Sequence, residues 1–199
     1  MAAELEDQPK QIVKETIPSL STHDFNFKTF GDKTLIKMLS NVRAFCLDLK
    51  KGKHRWLTMS GPTEVGKTHL LKQVFAFLKD AQFDLPNKFN YPYIRYYAWS
   101  DMINQLFDKK LTLDTLKHTG LLIIEDLLSY RSFDNARGNP ALDITYELLN
   151  SRLRKPTLID TNKSHSDIAS LDPRISSRLL REGSVFQEIP KGTTGFLLR

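Results

Sequence analysis

The sequence predicts an α/β fold: a five-stranded parallel sheet sandwiched by helices. Two observations predict it. From about residue 56 onward, short apolar runs alternate with stretches of helical periodicity, and such alternation yields parallel strands joined by helical crossovers. One of those runs, Trp56–Ser60, leads straight into Gly61-Pro62-Thr63-Glu64-Val65-Gly66-Lys67-Thr68. That is a G-x-x-x-x-G-K-[ST] segment standing between a strand and a helix, the context in which the pattern carries meaning.

The elements follow in chain order. Residues 1–24 are polar and mixed in charge, with Pro9 and Pro18. They read as a flexible N-terminal arm and a possible partner-binding segment. Residues 25–199 read as one domain. From Lys33, the residues Leu35, Leu39, Val42, Cys46 and Leu49 recur at helical steps, with Lys37, Arg43 and Lys50 on other faces. Gly52 stops that helix. Cys46 reads as a small core residue, and as the single cysteine it excludes an internal disulfide. Candidate strands are Trp56–Ser60, Tyr93–Tyr97, Leu121–Glu125, Thr157–Thr161 and Val185–Ile189. Candidate helices are Lys67–Asp80, Asp101–Phe107, Pro140–Arg154 and Pro173–Arg181. Asn139-Pro140 and Asp172-Pro173 each place a capping residue before a first-turn proline.

Apolar residues make up 40% of the chain and charged residues 26%, an ordinary globular balance. No apolar run approaches the roughly 18–20 residues of a membrane span. The segment Met1–Lys10 is acidic and lacks the hydrophobic core of a secretory signal. The expectation is a soluble, cytoplasmic protein with no membrane contact. A net charge of +6 and a pI near 9.3 permit nucleic-acid contact without demanding it.

The glycine-rich segment carries the first chemistry. Successive backbone N–H groups of such a P-loop converge on phosphates, and the following helix adds its positive dipole end. Lys67 is expected to reach the β- and γ-phosphates, and the Thr68 hydroxyl to ligate Mg²⁺. The expected cofactors are ATP and Mg²⁺, with Gly61 through Thr68 and the adjacent His69 as the binding segment. Glu64 departs from the many loops that carry a second glycine there. A carboxylate beside a triphosphate repels it unless it points outward.

The second chemistry is at Leu121-Leu122-Ile123-Ile124-Glu125-Asp126, an apolar strand ending in two acids. This is the Walker B pattern. The first acid, Glu125, would hold Mg²⁺ partly through water, and the second, Asp126, would orient or deprotonate the attacking water. The order is the reverse of the common Asp-Glu. Asp126 is a methylene shorter than glutamate, so slow hydrolysis is expected.

With these motifs the chain resembles the DnaC/DnaI/IstB group of AAA+ proteins. "GPTEVGKTHLL" is similar to their Walker A and "LLIIEDL" to their Walker B. "TLIDTN" is similar to their sensor 1 strand, which makes Asn162 the sensor. "DPRISSRLLREG" is similar to their arginine-finger segment, which makes Arg178 the finger, completing a neighbouring subunit's ATP site in trans. Arg174, one turn earlier, shares its face. On the residues alone, Asn162 could instead cap the next turn and Arg178 could be a solvated helix residue. The ten residues after Ile189 are too few for a C-terminal helical lid, and Arg199 is too loosely spaced to be assigned as sensor 2. The resemblance implies a slow ATPase that forms a homo-oligomer, binds single-stranded DNA and loads a DnaB-like replicative helicase in DNA replication. A compact loader of phage or mobile-element origin fits this economy.

Two segments bear on nucleic acid. Between Lys28 and Arg55, eight basic residues outnumber Asp32 and Asp48, which fits either a phosphate-tracking face or a solvated helix surface. In Lys88–Trp99, aromatics interleave with Lys88 and Arg95. Phe89 and Tyr91 are the free candidates for base stacking, and core packing is the better reading for the others. Three other functions remain open: an IstB-like transposition ATPase, a small-molecule P-loop kinase using Arg131 and Arg137 of the 130–138 loop, and a nucleotide-binding adaptor without turnover.

Overall fold

The computed structural model describes residues 33–80, 94–129, 138–181 and 183–193. The N-terminal arm, Phe89, Tyr91, Arg131, Arg137 and Arg199 lie outside the described residues. The elements are α1 (Lys33–Lys50), β1 (Trp56–Ser60), α2 (Lys67–Asp80), β2 (Ile94–Ala98), α3 (Trp99–Phe107), α4 (Leu113–Lys117), β3 (Leu121–Glu125), α5 (Pro140–Ser151), β4 (Thr157–Thr161), α6 (His165–Leu171), α7 (Pro173–Leu179) and β5 (Ser184–Glu188).

The five strands form one sheet in the order β2-β3-β4-β1-β5, with every pairing parallel. Strands β1 and β4 are buried along their whole length, including the polar residues Thr58, Ser60, Thr157, Asp160 and Thr161. Alternate residues feed two separate cores. Leu57, Met59, Leu121, Ile123 and Leu158 pack with α1 and α2 on one face. Trp56, Leu122, Ile124 and Ile159 pack with α3 to α7 on the other. Burying each such side chain contributes about 1.5–3 kcal/mol, so the two apolar layers dominate the stability. Among the described residues no helix is long and apolar enough to cross a membrane.

Local signals hold where they have a mechanism. Gly52 adopts φ +72°, with Lys53 N–H donating to Asp48 O and Gly52 N–H to Leu49 O. This six-to-one and five-to-two pair ends α1 as a Schellman motif. Met38, Leu39, Val42, Phe45 and Leu49 form its buried face, Cys46 packs beside them, and Lys33, Lys37 and Arg43 are exposed. Asn139 accepts from Ala141 N–H and Asp172 accepts from Arg174 and Ile175 N–H, so both expected caps are present.

Other boundaries differ from expectation. The helix expected over Pro140–Arg154 ends at Ser151, because Arg152 turns its side chain inward. Nε donates to Thr157 Oγ1, and the Nη atoms donate to the carbonyls of Leu116, Thr119, Gly120 and Pro156. The helix expected over Pro173–Arg181 ends at Leu179. Arg181 then lies over the Trp56 ring at 4.3 Å instead of extending a basic helical face. β2 and β5 lie one residue from their expected spans, although Ile189 N–H still donates to Ser60 O at 2.8 Å and carries the ladder onward. Two short helices, α4 and α6, were not expected. α6 nonetheless has a capping box, in which the Ser164 side chain and Asp167 satisfy each other's backbone N–H groups.

Candidate nucleotide site

The site lies at the carboxyl end of the sheet, where β1, β3 and β4 finish side by side. Parallel sheets place their chemistry at this end, because helix N-termini and strand-end loops converge there. Gly61 opens the loop after β1. A Cβ on it would stand 2.6 Å from Ile189 Cβ and 2.9 Å from Ile189 O, and its φ is +149°. Only glycine fits against the chain leaving β5. Glu64 sits at φ +67° with an exposed side chain. The carboxylate therefore points outward, and its backbone occupies the left-handed region that glycine tolerates best.

Lys67, only 5% exposed, begins α2 and folds back over the loop. Its Nζ donates to Gly61 O at 2.9 Å, Pro62 O at 2.6 Å and Asn162 Oδ1 at 2.9 Å. Burial lowers its pKa, against the opposing pull of Asp160 and Asp126. Asn162 also donates through Nδ2 to Asp126 Oδ1 at 2.7 Å. One side chain thus bridges the P-loop lysine and the second Walker B acid. Asp126 itself turns at φ +53° and Leu128 at φ +63°, so the chain leaving β3 makes a tight elbow.

A residue that sequence reasoning missed joins these groups. Asp160, 1% exposed near the end of β4, accepts from the Thr68 hydroxyl at 2.9 Å through Oδ2 and from the Asp126 N–H through Oδ1. Burial pushes its carboxyl up to about 6, outweighing the hydrogen bonds from Asp126 and Thr68 that favour the charged form. The only signal in the sequence was an acid directly after the apolar pair Leu158-Ile159 in a candidate strand. Glu125 is engaged elsewhere. Oε2 accepts from the Tyr96 hydroxyl at 2.5 Å, and Oε1 is 3.9 Å from Lys72 Nζ. Burial, then this hydrogen bond, raises the Tyr96 phenol above its usual pKa.

Lys67, Thr68, Asp126 and Asn162 are therefore brought together with Asp160, whose carboxyl also feels the charge of Glu125. His69 packs one position further along α2, with Nε2 3.4 Å from Gln73 Nε2. Arg178 is not part of this group. Its Nε donates to Asn150 Oδ1 at 2.9 Å and an Nη to Tyr146 OH at 3.4 Å. Arg174 and Arg178 both lie over the Tyr146 ring, at 4.8 and 5.5 Å, so they do share a face. Arg174 is further tied to Asp172 and Asp143, each at 2.7 Å.

The donor set suits a phosphate ligand and a hard cation: an ammonium, a hydroxyl and carboxylates around a loop of backbone N–H groups. Among the described residues no group of three or more His, Cys, Asp or Glu could hold a metal unaided.

No family model matches the sequence, and no curated protein matches it significantly. Solved structures do match. The chain is similar to the DnaC helicase loader, with TM-score 0.61 and 23% identity over 85% of this chain and 98% of that one. It is similar to DnaI, with TM-score 0.62 and 20% identity over 92% of each chain. It is also similar to AMPPCP-bound DnaA from Aquifex aeolicus, with TM-score 0.60 and 18% identity over 80% of this chain. This chain spans about half of that DnaA chain, 48%, and of a DNA replication initiation factor, 50%. These likenesses show the fold: a five-stranded parallel sheet with helices on both faces, like that of DnaC and DnaI, whose motifs the sequence also resembles.

Proposed function

We propose that this protein is a slowly hydrolysing AAA+ ATPase that acts in DNA replication by loading a DnaB-like helicase. The observation that carries the reading is the bridge from Lys67 through Asn162 to Asp126, set in a fold similar to DnaC and DnaI. In this reading Lys67 leaves its loop carbonyls for the β- and γ-phosphates, and the loop N–H groups from Thr63 to Thr68 hold the rest. Mg²⁺ neutralises charge on the phosphates when bound. Thr68 and Glu125 would hold that ion, Glu125 partly through water, while Asp126 would accept a proton from the attacking water and Asn162 would fix its orientation. Arg178, turned toward α5 and away from its own P-loop, completes the site of a neighbouring copy. A homo-oligomer stabilised by ATP would then track single-stranded DNA and release its helicase when nucleotide turns over.

Sedimentation of the protein with ATP·Mg²⁺ and single-stranded DNA tests this, comparing wild type with Lys67→Ala and Arg178→Ala. Assembly of wild type alone supports the reading. A protein that stays monomeric throughout, indifferent to Arg178→Ala, favours a small-molecule kinase or a non-hydrolysing adaptor, and turnover with and without DNA separates those two. An IstB-like role in transposition shares every motif, and only the partner captured by the assembled protein distinguishes it.

A further inference from the structure

We propose that the outward face of α1 and the turn after it bind the phosphate backbone of nucleic acid. This surface lies apart from the nucleotide site. The turn precedes β1 and so stands at the amino end of the sheet, whereas the P-loop follows β1 at the carboxyl end. The proposal deepens the DNA-tracking part of the reading above, and rests on that reading only in taking DNA as the source of the phosphates.

Lys33, Lys37 and Lys51 are all exposed. At about 3.6 residues per turn, Lys51 comes five turns after Lys33 on the same face, and Lys37 lies about 40° away. Lys51 keeps the helical path, its N–H donating to Leu47 O at 3.2 Å. The three lysines thus form a stripe about 27 Å long. Helix stability does not account for it. Lys33 and Lys37 stand at the amino end of α1, where the helix dipole disfavours cations, and no acid occupies the first turn to offset them. Asp48, the acid of α1, is already taken by Arg55 Nη1 at 2.6 Å and Lys53 Nζ at 3.5 Å.

The stripe runs into a cleft of about 330 Å³, whose lining includes Asp48, Lys53, His54, Arg55 and Ser184. The Schellman turn at Gly52 sets Lys53 and Arg55 beside it. Ser184 Oγ is buried without a hydrogen-bond partner, an unmet hydroxyl of the kind a phosphate oxygen satisfies. Protein docking favours contiguous apolar patches, and the exposed Ile36 and Leu47 of α1 stand about 16 Å apart along the helix. A line of cations without such a patch suits a phosphate backbone, which is held by charge.

The test is fluorescence anisotropy of a labelled oligothymidylate between about 50 and 200 mM salt, without nucleotide. Wild type is compared with Lys37→Ala/Lys51→Ala and with Lys109→Ala/Lys110→Ala, which removes the same charge from exposed residues after α3, a helix on the other face of the sheet. The first pair is expected to weaken binding about tenfold at low salt and to make the slope of log affinity against log salt shallower by about 1–2. The second is expected to stay within about twofold. The proposal is overturned if wild type binds no DNA, if the first pair binds like wild type, or if both pairs weaken binding alike. Displacement of the DNA by polyglutamate as readily as by unlabelled oligothymidylate also overturns it, in favour of an acidic protein partner. Should the alanine pair fail to fold, Lys37→Gln/Lys51→Gln takes its place. Sedimentation of the first pair with ATP·Mg²⁺ and no DNA is expected to match wild type. A wild type that never assembles with ATP sinks the loader reading alone and leaves this binding measurement standing.

Discussion

Arg178 donates from Nε to Asn150 Oδ1 at 2.9 Å, a link from α7 to α5 that holds the guanidinium along the surface of its own subunit. The bond is neutral at its acceptor, so the arginine can be drawn away by a stronger anion. Asn150→Asp adds a charge at the acceptor and converts the bond into an ion pair, which holds the guanidinium more firmly. The expected result is weaker ATP-dependent assembly in sedimentation, with nucleotide affinity of the monomer unchanged. Unaltered assembly would count against Arg178 as the group acting between copies.

Asp160 gives the apo protein a pH dependence. Its folded pKa, raised by burial from 3.8 to about 6, means that the folded state binds the proton more tightly than the unfolded chain. Stability from this group is therefore greatest below pH 4 and is lost as pH rises through about 6, a change of about 3 kcal/mol. Asp160→Asn lacks this titration. In EDTA, its stability relative to wild type should increase by about 2 kcal/mol between pH 4 and pH 6.5 in urea melts. A flat difference would show that Asp160 is not perturbed.

Glu64 combines an unfavourable backbone with an exposed charge. A left-handed conformation costs a non-glycine residue about 1–2 kcal/mol, against which glycine's extra unfolded-state freedom offsets about 0.4–1 kcal/mol. Glu64→Gly should accordingly change the melting midpoint little and upward. Its ATP affinity should rise a few-fold at low salt, and the gain should vanish near 1 M salt, where charges are screened beyond about 3 Å. Glu64→Gln, which removes only the charge, should reproduce the affinity gain without the shift in melting.

Arg152 is fully buried and donates to four backbone carbonyls and a threonine hydroxyl. It ties the segment after α4 to the entrance of β4. Arg152→Leu leaves several buried carbonyls without donors, each costing about 1–3 kcal/mol. A loss above about 3 kcal/mol in chemical denaturation is expected, far from any residue assigned to nucleotide.

The parts of the molecule legible in the sequence are those written locally. The P-loop, its flanking strand and helix, the proline-preceded caps at Asn139 and Asp172, and the glycine stop at Gly52 each act within a few residues. The short helices were not legible for a physical reason. α4 has five residues and α6 seven, too few turns to show a period, although Ser164 and Asp167 did spell a capping box. Asp160 was hidden for a different reason. An aspartate in Thr157–Thr161 is informative only if β4 lies between β1 and β3, and strand order is a property of the tertiary fold.

The last residues of β4 point alternately to two sides of the sheet. Asp160 and Asn162 reach the P-loop and the Asp126 elbow, while Thr161 between them donates to Leu127 O at 2.8 Å. A slip of one residue would present Thr161 to the phosphates and turn both functional side chains into the opposite layer. A slip of two would restore the side but displace them by about 7 Å. An insertion or deletion along this strand would therefore carry both side chains away from the P-loop, whereas exchanging a side chain in place would leave its neighbours where they are.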